Sequence, residues 1–275
     1  MIRHITAIAD HFFRHAIDIH FSLKCLNRST DVSSGKTSSI CTNKEKCVSL
    51  QTILVCISMT IIFDLDGTLI NTIADLGLAC NYALSAAGYP THDLAEYPHL
   101  VGNGVNKLIE RALPIETKQT AEQTQMEIQR LRRDFIPYYN EHNCDHTVPY
   151  EGMPEVLATL KQAGARLAVA SNKYQEATRK IVEHYYSGVF DVVFGEREGV
   201  PRKPDPQVVY DILAILPDEK VLYVGDSLVD IETARNAGVP VIACSWGFVA
   251  REELAAAQPD YLIDRTEEIC KFVNL

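Results

Sequence analysis

Two aspartates stand two residues apart in the segment Asp64, Leu65, Asp66, Gly67, Thr68, Leu69, directly after an apolar run over 60–63. Side chains alternate along a strand, so Asp64 and Asp66 can approach one ligand while Leu65 turns into the core. Two close carboxylates resist joint ionisation unless a cation or a shared proton relieves them. Gly67 permits a backbone conformation closed to other residues, and the Thr68 hydroxyl is expected to bond back into the loop. A polar strand-to-helix turn with Asx character would use the same residues, and this segment by itself supports both readings equally.

Three further polar sites each follow an apolar run. Ser171, with Asn172 and Lys173 after it, follows 167–170; Lys203 sits in the proline-bounded loop 202–206 after a run ending at Phe194; Asp226 follows 221–224, with Asp230 four residues later. Taken singly, Ser171 and Asp226 could be helix N-caps and Lys203 a solvated loop cation. Four such sites in this order are better explained by one shared pocket. Three aspartates around a point favour a hard divalent ion, and Mg²⁺ takes one or two carboxylates plus substrate phosphate and water. Ser171 and Lys203 add a donor and a positive charge for phosphoryl oxygens, which completes the equipment for phosphoryl transfer.

The elements that must position these groups are short apolar runs at 60–63, 166–170, 189–194, 221–224, 239–244 and 261–263, alternating with helical patterns at 154–163, 175–185, 206–216 and 229–237. Gly164 and Gly238 are placed to stop helices. Uninterrupted, mostly β-branched runs suit strands buried on both faces, so the expected fold is α/β, a doubly wound parallel sheet with ligands at the carboxyl ends of its strands. Residues 72–146 break the rhythm with helical segments at 75–87, 105–113 and 117–141, in which Ala121, Ile128, Leu131, Phe135 and Tyr138 are expected to pack and Pro137 to kink or end the helix. The expected organisation is a core of 59–71 and 147–275 with an inserted helical domain over 72–146.

The 275 residues are 47% hydrophobic and 23% charged, with formal charge −10, ordinary globular values that oppose binding to nucleic acid or anionic lipid. The longest nearly apolar stretch, 52–63, is far short of the ~20 residues of a membrane span. Residues 1–58 differ from the rest: their formal charge is +3 against −13 beyond, and they hold four of eight Cys and four of nine His. Cys25, Cys41, Cys47 and Cys56 lack zinc-site spacing, and Asp10, Arg14 and Asp18 interrupt any secretory apolar segment. Folding information is expected to begin at Met59, which could itself be a start codon. Cys80, Cys144, Cys244 and Cys270 are scattered singly, as in a reduced cytoplasmic enzyme.

Across 59–275 the four motifs resemble those of the haloacid dehalogenase superfamily. The resemblance implies a Rossmann-like core with a helical cap, Asp64 as the nucleophile forming an aspartyl-phosphate, and Asp66 as the acid that protonates the leaving alkoxide and then activates water. It implies that Ser171, Asn172 and Lys203 hold the phosphoryl group. Mg²⁺ would be bound by the Asp64 carboxylate, the Asp66 main-chain carbonyl and Asp226, with Asp230 in support. An acid two residues after the nucleophile sets the chain apart from the dehalogenases and phosphonate-cleaving relatives. The stretches 100–113, 138–142 and 194–206 are similar to phosphoglycolate phosphatases, although that family's first motif usually continues with Asp-Ser where Asn71 and Thr72 stand here.

The glycines of 102–104 do not read as a dinucleotide fingerprint, because no strand precedes them and the third glycine is absent. They are either a plain turn or a source of backbone amides for a substrate carboxylate; Lys107 or Arg111 could pair with the glycolate carboxylate, but both read first as a solvated helix face. The expected activity is Mg²⁺-dependent hydrolysis of 2-phosphoglycolate, a small phosphorylated metabolite. The rivals are another phosphate ester such as a sugar phosphate, a phosphomutase, and a noncatalytic phosphoacceptor module.

Overall fold

The computed structural model describes residues 59–118 and 120–272; residues 1–58, with their cysteines and histidines, lie outside it, as do Gln119 and residues 273–275. The described chain runs β1 (Met59–Phe63), β2 (Ile70–Asn71), α1 (Ile73–Ala86), α2 (Tyr97–Leu100), α3 (Gly104–Ala112), α4 (Ala121–His142), β3 (Val148–Pro149) and α5 (Met153–Gln162). It continues through β4 (Arg166–Tyr174), α6 (Gln175–Tyr186), β5 (Val192–Glu196), α7 (Gln207–Ile215), β6 (Lys220–Gly225), α8 (Leu228–Ala237), β7 (Val241–Cys244), α9 (Arg251–Ala256) and β8 (Tyr261–Ile263).

Six strands form one sheet in the order β5-β4-β1-β6-β7-β8, and every neighbouring pair is parallel. The alternation of side chains explains why both faces are covered. Ile61 and Phe63 of β1 join a cluster with Leu157 of α5 and Ile181 of α6, whereas Ile62 joins Val209 and Ile212 of α7 and Ile231 of α8 on the other face. Leu167 and Val169 against Ala168 and Ala170 in β4, and Leu222 and Val224 against Tyr223 in β6, divide in the same way. This is the doubly wound α/β sheet expected from the apolar runs. With β1 central and the chain switching from β4 and β5 to β6 and β7 across it, the strand ends around β1 form the crevice where such sheets place ligands.

The helices α1 to α4 build a second apolar cluster, with Leu76, Cys80, Leu84, Tyr97, Leu108, Ile109, Leu131 and Phe135 at its centre. The chain enters and leaves this segment through β2 and β3, which pair antiparallel with Ile70 opposite Pro149 and Asn71 opposite Val148. Entry and exit are therefore held side by side. Among the described residues no helix is long and apolar enough to cross a membrane.

Three expectations change. Pro137 lies inside α4 and does not end it, because Ile128, Leu131, Phe135 and Tyr139 on one face are all buried and hold the helix through the lost hydrogen bond. Tyr139 is the fully buried tyrosine and Ala121 is exposed; Tyr138 is partly buried against the same cluster and stacks on Tyr82 at 4.3 Å between ring centroids. Strand β4 runs four residues past Ala170 to Tyr174, with a register irregularity between them, so Ser171 sits within a strand rather than capping a helix.

Candidate active site

Asp64 stands immediately beyond β1, where its amide donates to the Val224 carbonyl at 2.9 Å and continues the ladder toward β6. The following turn is closed by the amides of Thr68, Leu69 and Ile70, all donating to the Leu65 carbonyl. Gly67 adopts φ +91°, and a Cβ there would fall 2.2 Å from an Asp226 carboxylate oxygen. Gly247 approaches Asp226 from another direction, with its Cβ position 2.3 Å from the Asp226 Cβ. The Asp226 side chain thus fits between two glycine backbones. Thr68 does not bond back into its own loop as expected; its hydroxyl reaches Asp226 Oδ1 at 3.0 Å, since burial leaves that carboxylate in need of donors. The Phe248 amide meets Asp226 Oδ2 at 2.8 Å.

Lys203 is the hub. Its Nζ lies 2.8 Å from Asp64 Oδ1, Asp230 Oδ1 and the Ala170 carbonyl, and 3.2 Å from the Tyr223 hydroxyl. Asn172 clamps the backbone of Lys203 from both sides, its Nδ2 donating to the Lys203 carbonyl at 3.0 Å and its Oδ1 accepting from the Lys203 amide at 2.9 Å. The Asn172 side chain is thereby used to place the lysine. Asp230 belongs to the start of α8: it shares a capping box with Ser227, which also shows that Ser227 and not Asp226 caps that helix.

Asp66 faces a second cation. Its carboxylate accepts from Lys173 Nζ at 2.9 and 3.1 Å and from the Thr72 hydroxyl at 2.8 Å. The ring of Tyr139 covers the same ammonium, 4.7 Å from the ring centroid. Ser171 accepts from the Lys173 amide at 3.2 Å. Asp64, Asp66, Ser171, Asn172, Lys203 and Asp226 line one cavity of about 240 Å³, so the structure brings every sequence-predicted site residue to one place. Lys173, Thr72, Tyr139 and Tyr223 were not foreseen. The alternation that pairs Asp64 with Asp66 would also have paired Ser171 with Lys173; Thr72 and Tyr223 have partners six and seven residues away, Asp66 and Asp230, but reach them only through the folded turn and the strand-to-helix connection, and Tyr139 meets Lys173 only across the tertiary fold.

Carboxylate oxygens of Asp64, Asp226 and Asp230 lie within 4.8 Å of one another, all buried, with the Lys203 ammonium in contact with two of them. Burial pushes the Asp64 carboxyl up to about 7, Lys203 pulling it down and Asp230 raising it further. Burial, then the charges of Asp230 and Asp64, lifts Asp226 well above the usual carboxylate range. Burial by itself would lower Lys203, but Asp230 and Asp64 together raise it. A hard divalent cation fits this donor set, because three carboxylates against one ammonium leave negative charge that only a cation or protons can relieve. Asp230 accepts from Lys203 and Tyr223 on Oδ1 and from Ser227 on Oδ2, Asp226 from Thr68 on Oδ1 and the Phe248 amide on Oδ2, and Asp64 from Lys203 on Oδ1. The Asp66 carboxylate is not part of this cluster.

The family model of haloacid dehalogenase-like hydrolases matches residues 61–244, a span that contains all of these groups. The chain belongs to that family. Among its relatives within the haloacid dehalogenase-like hydrolases, a phosphoglycolate phosphatase of Aquifex aeolicus is 34% identical over 221 residues, covering 78% of this chain and 96% of the relative. Another from Cereibacter sphaeroides is 36% identical over 180 residues, covering 65% and 81%. A solved chain from Lactobacillus delbrueckii subsp. bulgaricus, described as a candidate phosphoglycolate phosphatase, superposes with a TM-score of 0.72 at 33% identity, covering 78% of this chain and 97% of that one. This haloacid dehalogenase-like hydrolase is a phosphoric monoester hydrolase, which removes the noncatalytic phosphoacceptor from consideration.

Proposed function

We propose that this hydrolase cleaves 2-phosphoglycolate to glycolate and phosphate, with Mg²⁺ as its resident ion and an aspartyl-phosphate as the intermediate. The observation that carries the reading is the meeting of Asp64, Lys203 and Asp226 on one cavity wall with Asp66 beside them. The relatives named phosphoglycolate phosphatase support the choice of ester.

In this reading a carboxylate oxygen of Asp64 attacks phosphorus as the bond to the leaving oxygen breaks, and Asp66 delivers a proton to that oxygen. A water then attacks the phosphorus of the aspartyl-phosphate, giving its proton to Asp66, and the Asp64 carboxylate returns as phosphate leaves. Lys203 offsets the repulsion between the Asp64 carboxylate and the phosphate dianion at close range. The Ser171 hydroxyl and the Lys203 ammonium hold phosphoryl oxygens, and Asn172 serves them by fixing the Lys203 backbone. Asp64, Asp226 and the main-chain carbonyl of Asp66 would hold Mg²⁺, which supplies positive charge to the phosphoryl oxygens when bound. The helical segment 72–146 acts as a cap that keeps bulk water from the reacting phosphate. The described cysteines, Cys80, Cys144, Cys244 and Cys270, are all unpaired, which supports a cytoplasmic setting.

Phosphate release from a panel of esters, with Mg²⁺ or with chelator, tests the reading. It expects 2-phosphoglycolate to turn over fastest, activity to vanish with chelator, and Asp64→Asn to be inactive. A sugar phosphate turning over equally well or better would overturn the choice of substrate, and full activity in chelator would overturn the ion.

A further inference from the structure

We propose that Arg111 recognises the carboxylate of the substrate's leaving group, an inference that rests on the phosphoglycolate reading and names the residue that reads its acid. Three cations line the cavity: Lys203, Lys173 and Arg111. Lys203 is held by Asp64 and Asp230, and Lys173 by Asp66. Arg111 has no carboxylate partner among the described residues.

Its guanidinium is nonetheless fixed in place. Nη1 donates to the carbonyls of Leu100 and Val101 at 3.0 and 2.8 Å, on the loop that leads into α3. Of five N–H donors, these contacts use the two on Nη1 and leave the edge formed by Nε and Nη2, the fork that meets a carboxylate in bidentate fashion. Anchoring removes side-chain freedom before any ligand arrives, so little ordering remains to be lost on binding. Asn103, whose Oδ1 is buried without a partner, lines the same cavity. Leu76, Val101, Val105 and Leu108 give the cavity an apolar wall, while Arg111 itself is exposed. The other cation of α3 is different: Lys107 pairs with Glu110 at 2.8 Å and does not line the cavity.

The test compares kcat/KM for 2-phosphoglycolate with that for 2-hydroxyethyl phosphate, an ester of similar length with a neutral hydroxymethyl group in place of the carboxylate. Arg111→Gln is expected to lower the ratio of the two values by about tenfold or more, the worth of a hydrogen bond to a charged group. Arg111→Lys, which keeps the charge and loses the fork, should recover only part of that ratio. Lys107→Gln should keep the wild-type ratio. A parallel fall on both esters, or an unchanged ratio in Arg111→Gln while the wild type prefers the carboxylated ester, would overturn the assignment to Arg111 and leave the substrate reading standing. A wild type that does not prefer the carboxylated ester would overturn the substrate reading and this inference with it.

Discussion

Lys173 donates to both carboxylate oxygens of Asp66 from 107 residues along the chain, and the Tyr139 ring of α4 covers that ammonium. The helical segment thus touches the lysine that orients the proposed acid and base. The Lys173 side chain is 3% exposed and that of Asp66 16%, so the pair is held largely away from water.

Removing one partner of such a pair leaves an uncompensated charge. Lys173→Met should destabilise the fold by about 3 kcal/mol in urea unfolding. It should also lower kcat more than it changes KM, because the carboxylate loses its orientation and the phosphate keeps its own ligands. An unchanged kcat would show that Asp66 needs no fixing by Lys173.

The pH dependence of stability follows from the raised carboxyls. Asp64 stands at about 7 against an ordinary value of 3.8, so the folded state holds this proton more tightly than the unfolded chain. That contribution is complete below the ordinary value and is lost as pH rises toward about 7. Asp226 is shifted in the same direction, and Lys203, raised above its ordinary value, stays charged throughout this range. Metal-free protein should therefore melt at progressively lower temperature between about pH 5 and 7.5, with a smaller slope in Asp64→Asn. A melting temperature that rises over the same range would contradict this, as would one that Mg²⁺ fails to restore at the upper end.

Gly247 offers a steric probe of the Asp226 position, since a Cβ there would lie 2.3 Å from both the Asp226 Cβ and Oδ2. Gly247→Ala should cost about 1–3 kcal/mol through overpacking. The displaced carboxylate should raise the Mg²⁺ concentration needed for half-maximal activity several-fold. A variant with wild-type stability and Mg²⁺ response would place Asp226 elsewhere.

Pro137 supplies a test confined to α4. Its missing N–H forfeits one bond of a helix that nonetheless continues to His142. Pro137→Ala should stabilise the protein by about 1–3 kcal/mol, read as a higher melting temperature with kcat unchanged. A lower melting temperature would mean that the packing of α4 depends on the proline.

The apolar runs made the parallel sheet legible because strands buried on both faces need no partner information to be recognised: Ile61, Ile62 and Phe63 are buried whichever way they point. Tyr138 packs partly buried against the apolar cluster of α1 to α4, but the adjacent Tyr139 is the one fully enclosed, because which of two neighbouring tyrosines turns inward depends on the helices packed against them. Asp64, Asp66, Ser171 and Asp226 were readable because each directly follows, or stands just beyond, an apolar run, and Lys203 because it lies in the proline-bounded loop after the run ending at Phe194; parallel topology carries such positions to one edge of the sheet.

Residue type and order along the chain alone determined the chemistry available here: carboxylates, a hydroxyl and a cation at successive strand ends. Only the tertiary structure decided that Lys203 serves Asp64 and Asp230 while Lys173 serves Asp66, and that Arg111 has no acid partner among the described residues. Charge pairing and hydrogen bonding are set by distances of about 3 Å, and a lysine 139 residues from its aspartate acquires that distance only when the sheet assembles.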